Sequence, residues 1–179
     1  MRKITAALLL ILASAGCQPR AETAALAQGD DREGRAYITE LSNMIRGSDR
    51  IVVTEHSFQD DAYDADSGKS LIPNDVIYGT RQLTSQQREL FLSTINQLDP
   101  KTQDAFPACI FEPHHTIRFY AGDKLKSTMD ICFQCGQVEW DATSTTPPWS
   151  LYSGLATFIK DVGFQPERDW AALARRHVQ

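Results

Sequence analysis

The stretch from His115 to Phe133, "HTIRFYAGDKLKSTMDICF", constrains the fold more than any other part of the chain. Ile117, Phe119 and Ala121 alternate with polar neighbours, Gly122-Asp123 supplies a turn, and Met129, Ile131 and Phe133 resume the alternation. A period of two puts apolar side chains on one strand face and polar ones on the other, so two such runs joined by a glycine turn read as antiparallel neighbours with one buried face. "ACIFE" before them and "QVEW" after a second glycine turn extend the expected meander at both ends.

The buried face of such a sheet needs a covering layer, and the remaining segments carry helical periodicity. Ile38, Leu41 and Ile45 fall at helical spacing from Arg35 until Gly47-Ser48-Asp49 stops the run. Thr84 with Gln87 three residues on predicts a capping box, and Leu90, Phe91, Thr94, Ile95 and Leu98 form one face before Asp99-Pro100. Leu151, Leu155, Phe158, Ile159 and Val162 predict a third helix closed by Gly163, and Pro166 is expected to open a last one that buries Trp170 and Leu173. "RIVVTEHSF" and "DVIYGTRQL" read as further strands. Strands and helices segregate along the chain, so the expected class is α+β, an antiparallel β-meander packed with amphipathic helices in one domain spanning 35–179. The segment "QDDAYDADSGKSLIPND" is expected to be a loop. Asp64 and Asp66 have calcium-loop spacing, but Lys69 stands where that loop needs glycine and Pro73 interrupts it, so a solvated acidic loop is expected.

The N-terminus sets the compartment. Arg2 and Lys3 precede an apolar run from Ile4 to Ala13 and then small residues, the layout of a secretory signal peptide and too short to span a bilayer. Ser14-Ala15-Gly16-Cys17 resembles the lipobox of bacterial lipoproteins, with Ser14 departing from the commoner aliphatic residue. The resemblance implies a signal peptide over 1–16, lipidation of Cys17 with palmitate among its acyl chains, and a flexible tether over 17–34. Gln18 rather than Asp after the cysteine implies the periplasmic face of the outer membrane. Without Arg2 and Lys3, 16 basic residues stand against 23 acidic ones, a net charge of −7. Scattered cations and this acidity argue against a nucleic-acid partner. The expected partners are the membrane, through the lipid, and an envelope protein.

With Cys17 lipidated, Cys109, Cys132 and Cys135 remain, an odd number in an oxidising space. A disulfide between any two is the first reading; Cys109 can meet Cys132 or Cys135, and Cys132 with Cys135 would form a small ring. A metal site is the second: Cys132 and Cys135 in "CFQCG", with Cys109 and His115, could hold zinc or cuprous copper. Thiol–disulfide oxidoreductase chemistry by Cys132 and Cys135 is the third, though the strand-like "GQVEWD" that follows lacks the helix dipole of redox pairs. Adjacent His114 and His115 are expected on opposite strand faces, and His56 receives no role.

No G-x-S-x-G, Walker or H-E-x-x-H pattern is present. The stretch from Ala108 to Gly136, with Cys109, Pro113, His115 and "ICFQC", resembles uncharacterised bacterial exported proteins, which implies a shared cysteine-bearing sheet and no particular reaction. The expectation is therefore a non-enzymatic binding or structural lipoprotein with a cysteine-stabilised sheet and no cofactor.

Overall fold

A computed structural model describes residues 31–72, 75–102 and 108–177. The expected signal peptide, Cys17 and the expected tether up to residue 30 lie outside the described residues. Helix α1 (Asp31–Gly47) leads into β1 (Arg50–His56), a short hairpin of β2 (Tyr63–Asp64) and β3 (Lys69–Ser70), then β4 (Ile77–Gln82) and α2 (Ser85–Asn96). The second half holds β5 (His115–Ala121), β6 (Lys124–Cys132), β7 (Gln137–Trp140), α3 (Leu151–Asp161) and α4 (Trp170–Arg175). The fold is α+β: five strands pair antiparallel in the order β4-β1-β5-β6-β7.

Alternation decides which face is buried. Ile51 and Val53 of β1, Ile117 and Phe119 of β5, Met129 and Ile131 of β6 and Trp140 of β7 meet Leu41 and Ile45 of α1, Phe91 and Ile95 of α2, and Leu155, Phe158 and Ile159 of α3 in one core. Phe91 and Phe158 stack at 4.1 Å between ring centres, which ties α2 to α3. The other sheet face carries Thr54, His56, Thr116, Arg118, Thr128 and Asp130, and among the described residues no helix packs its apolar stripe there.

The capping box forms as expected: the Thr84 side chain accepts from the Gln87 amide at 3.2 Å, and the Gln87 side chain accepts from the Thr84 amide at 3.0 Å. Gly122 turns β5 into β6 at φ 57°, and Gly136 turns β6 into β7 at φ 58°. Four local expectations change. Helix α1 starts at Asp31, inside the expected tether, because Asp31 and Glu33 suit the positive helix end and Gly34 sits where a Cβ would lie 1.8 Å from the Pro100 carbonyl oxygen. The expected loop after β1 contains the β2–β3 hairpin, in which the Asp64 carboxylate accepts the amides of Ser67 and Asp66; those bonds hold its carboxyl below the usual range. "ACIFE" is not a strand: Pro113 has no amide to donate and regular pairing begins at His115. Helix α4 is opened by Asp169, whose carboxylate accepts from the Ala172 amide at 2.8 Å, not by Pro166, and Trp170 and Leu173 are half-buried while Ala174 is fully buried.

Candidate functional site

Strand pairing gathers three of the four histidines at one end of the sheet. In the β1–β5 register Thr54 faces Thr116 and Glu55 faces His115, and one residue further on the His56 amide donates to the His114 carbonyl at 3.0 Å. Alternation sends Glu55 and His115 into the helical side and His56 and Thr116 to the open face. His114 does not follow the expected split from His115. It precedes β5, so strand alternation does not apply to it, and both rings meet Trp170: His114 stacks at 4.3 Å and 6°, His115 meets it edge-on at 5.7 Å.

On the helical side, His115 has no exposed surface, and neither ring nitrogen has a hydrogen-bond partner among the described residues. Its Nε2 lies 3.8 Å from Glu55 Oε1, an ion-pair separation too long for a hydrogen bond. Burial pushes the His115 imidazole down from its ordinary range, with Glu55 opposing that shift. Burial works against the Glu55 carboxylate too, yet the nearness of His115, the Arg168 guanidinium 2.8 Å from Oε2 and the Gln165 amide together hold its carboxyl below the usual range. Beside them His114 Nε2 lies 2.8 Å from Asp61 Oδ1, and Asp61 also accepts the Phe58 amide at 2.8 Å. A recess of about 290 Å3 opens onto this pair between Asp60, Glu112, Gln134, Arg168 and Trp170.

On the open face a hydrogen-bonded chain runs across three strands. His56 Nδ1 lies 2.9 Å from the Ser57 carbonyl, which can only accept, so Nδ1 carries a proton. His56 Nε2 lies 2.9 Å from Thr116 Oγ1, and the Thr116 hydroxyl donates to Asp130 Oδ1 at 2.6 Å. A threonine hydroxyl has one hydrogen. It goes to Asp130 Oδ1, and both ring nitrogens of His56 are engaged by protein atoms. His56, Thr116 and Asp130 therefore form one hydrogen-bonded unit.

That unit lies along a cleft of about 440 Å3, also lined by Ser57, Asp75, Pro113 and Arg118. A somewhat larger hollow, about 510 Å3, lies beside β7 at Trp140, Asp141 and Thr143. It is the poorer candidate. Among the described residues no cation lines it, and the Asp141 carboxylate is occupied by the Thr128 amide and the Ser127 hydroxyl.

Cys109 and Cys135 form a disulfide with their Cα atoms 5.8 Å apart, and Cys132 is a buried free thiol. The bond fastens the segment that follows Cys109 to the β6–β7 turn. Pro113 of that segment lines the open-face cleft, and Glu112 and His114 line the smaller recess. The structure does not bring Cys109, Cys132, Cys135 and His115 together as a ligand set: two of the sulfurs are bonded to each other, and the nearest acid to the His115 ring is Glu55. Among the described residues no group of three or more His, Cys, Asp or Glu side chains is placed to hold a metal ion.

Sequence reasoning missed His56, Thr116, Arg118 and Asp130 as a group. Their common signal was polar residues at every second position of three strands, and strand order is what converts that signal into a site. Compared with protein-family models, with curated proteins and with solved structures, the chain matches none of them.

Proposed function

We propose that the protein is a lipid-anchored binding module of the bacterial envelope, held at the periplasmic face of the outer membrane by acyl chains on Cys17, which presents the open-face cleft to a polar ligand. The observation that carries this reading is the Cys109–Cys135 disulfide. Disulfides persist in oxidising compartments, and a lipobox directs a chain to one. Two of the three remaining thiols are consumed in that bond and the third is buried. Both His56 nitrogens are engaged by protein partners. These features support binding over nucleophilic catalysis, which needs a free nucleophile beside a free base. The zinc or copper reading would require the disulfide to be reduced, and thiol–disulfide exchange between Cys132 and Cys135 would require Cys135 to leave Cys109. Both are the lesser readings.

Growth with labelled palmitate tests the anchor. The wild-type chain should take up label and sediment with membranes, and a Cys17→Ser chain should do neither. Unchanged sedimentation of the unlabelled variant would refute anchoring through Cys17.

A further inference from the structure

We propose that the open-face cleft takes a small zwitterion, an amino acid or short peptide, whose carboxylate docks on Arg118 and whose ammonium docks on Asp75. The inference deepens the binding role proposed above and rests on it.

Four charged or chargeable side chains line this cleft: His56, Asp75, Arg118 and Asp130. His56 and Asp130 are already engaged with each other through the Thr116 hydroxyl. What remains is one cation and one anion. Among the described residues the Arg118 side chain makes one hydrogen bond, a long one of 3.4 Å to Thr54 Oγ1, and pairs with no carboxylate. Asp75 has no hydrogen bond or ion pair among them, and it is exposed at the cleft rim while Arg118 is half-buried on the sheet floor. Two opposite charges therefore border one cleft without meeting each other. A guanidinium fixed on a strand offers parallel N–H donors that match a carboxylate, and half-burial raises the worth of that contact. A phosphate dianion is disfavoured by Asp75 and Asp130 in the same space, and a simple amine leaves Arg118 unpaired. A ligand with both signs satisfies both ends. The volume, about 440 Å3, lies within the range of small-ligand sites, which runs from about 300 to 1,000 Å3.

The test is calorimetric titration of the full lipidated chain in neutral detergent with L-alanine, L-alanyl-L-alanine, its N-acetyl form and its C-terminal amide. The free dipeptide or the free amino acid should bind, and each blocked form should bind about tenfold more weakly or worse, because each loses a charge-assisted contact. Arg118→Met should weaken the free dipeptide by a similar factor and abolish the difference between it and the amide; Asp75→Asn should do the same for the N-acetyl form. L-Alanine binding more tightly than the dipeptide would identify the amino acid as the ligand size, and the reverse order would identify the peptide. Blocked forms that bind as tightly as the free dipeptide would overturn the zwitterion. So would the absence of heat from both free ligands at millimolar concentration. Either result with palmitate labelling intact leaves the anchored-module reading standing, whereas loss of labelling strikes that reading alone.

Discussion

Replacing Arg168 by Met tests whether the core side of the histidine cluster is held by one ion pair. Arg168 Nη1 lies 2.8 Å from Glu55 Oε2, with the arginine side chain 37% exposed and the glutamate 4%. Met keeps most of the apolar stem and removes only the charged head. Glu55 is then left with the Gln165 amide at 3.5 Å and His115 at 3.8 Å, both poor partners for a carboxylate. Breaking a fully buried pair costs about 3–5 kcal/mol and breaking an exposed one about 0–1, and this pair, buried at one end, falls between at about 2 kcal/mol. With a urea m value of about 2 kcal/mol/M for a domain of this size, the midpoint should fall by about 1 M.

Two controls separate this account from general damage to the 165–170 segment. Glu55→Gln in the same background removes the stranded charge and should restore at least half of the loss. The pH dependence carries a sign as well. In the wild type Glu55 is held below its usual range, so it stabilises above the unfolded value of about 4.3, and that contribution is lost as pH falls. Without Arg168, burial dominates and the folded carboxyl rises above its unfolded value, so it destabilises at neutral pH and recovers on acidification. The gap between Arg168→Met and wild type should therefore narrow from pH 7 to pH 5. A midpoint shift under about 0.25 M, or a gap that widens on acidification, would refute the reasoning.

Other perturbations should follow the same logic. Reducing the Cys109–Cys135 bond, whose partners are 26 residues apart, should cost about 3.5 kcal/mol by loop-entropy scaling, read as a urea midpoint shift between oxidised and reduced protein; a shift below about 1 kcal/mol would contradict it. Alkylation without reductant should label no thiol in the native domain and only Cys132 after unfolding, and native labelling of Cys132 would mean that it is not buried. His115 is buried with its imidazole held down, so between its folded value and the unfolded value of about 6.5 the unfolded chain binds the extra proton and stability should fall as pH drops through 6.5. His115→Asn should flatten that slope in denaturation curves taken between pH 7.5 and 5.5, whatever its effect on stability at pH 7.5; an unchanged slope would assign the dependence elsewhere.

The legible parts of this fold are those written in local periodicity. Alternation around Ile117 and Ile131, the Thr84–Gln87 box and the apolar face ending in Phe158 and Ile159 each need only neighbouring residues to be read, and each forms. The segment from Asp31 to Gly34 is polar and reads as tether, and local sequence does not show that Gly34 packs closely against Pro100, far along the chain. The site was hidden for the same reason. His56 and Thr116 stand sixty positions apart and meet only because β1 inserts between β4 and β5, an order that alternation cannot specify. The cysteine partner was undecided because "ACIFE" looks like a strand, and a strand there would have favoured Cys132 no less than Cys135.

Where the disulfide sits bears on what it is for. The large core contains no residue between Ala108 and His114; it is built from α1, α2, α3 and the inward face of the sheet. The bond therefore adds nothing to the core's own packing. It restrains an irregular segment that carries Pro113 to one face of the sheet and Glu112 and His114 to the other. A regular strand would hold itself in place by ladder hydrogen bonds, and this segment has few: the His114 amide donates to the Ile131 carbonyl at 3.3 Å, and the His114 carbonyl accepts from His56. A covalent tie at its start replaces the missing ladder. On that account, reduction should loosen the cleft walls before the core opens, with amide exchange rising at Ile110, Phe111, Glu112, His114 and Ser57 while Ile117, Phe119 and Ile131 stay protected. Exchange that rises together in both groups would mean that cleft and core are one cooperative unit, and that the bond serves global stability alone.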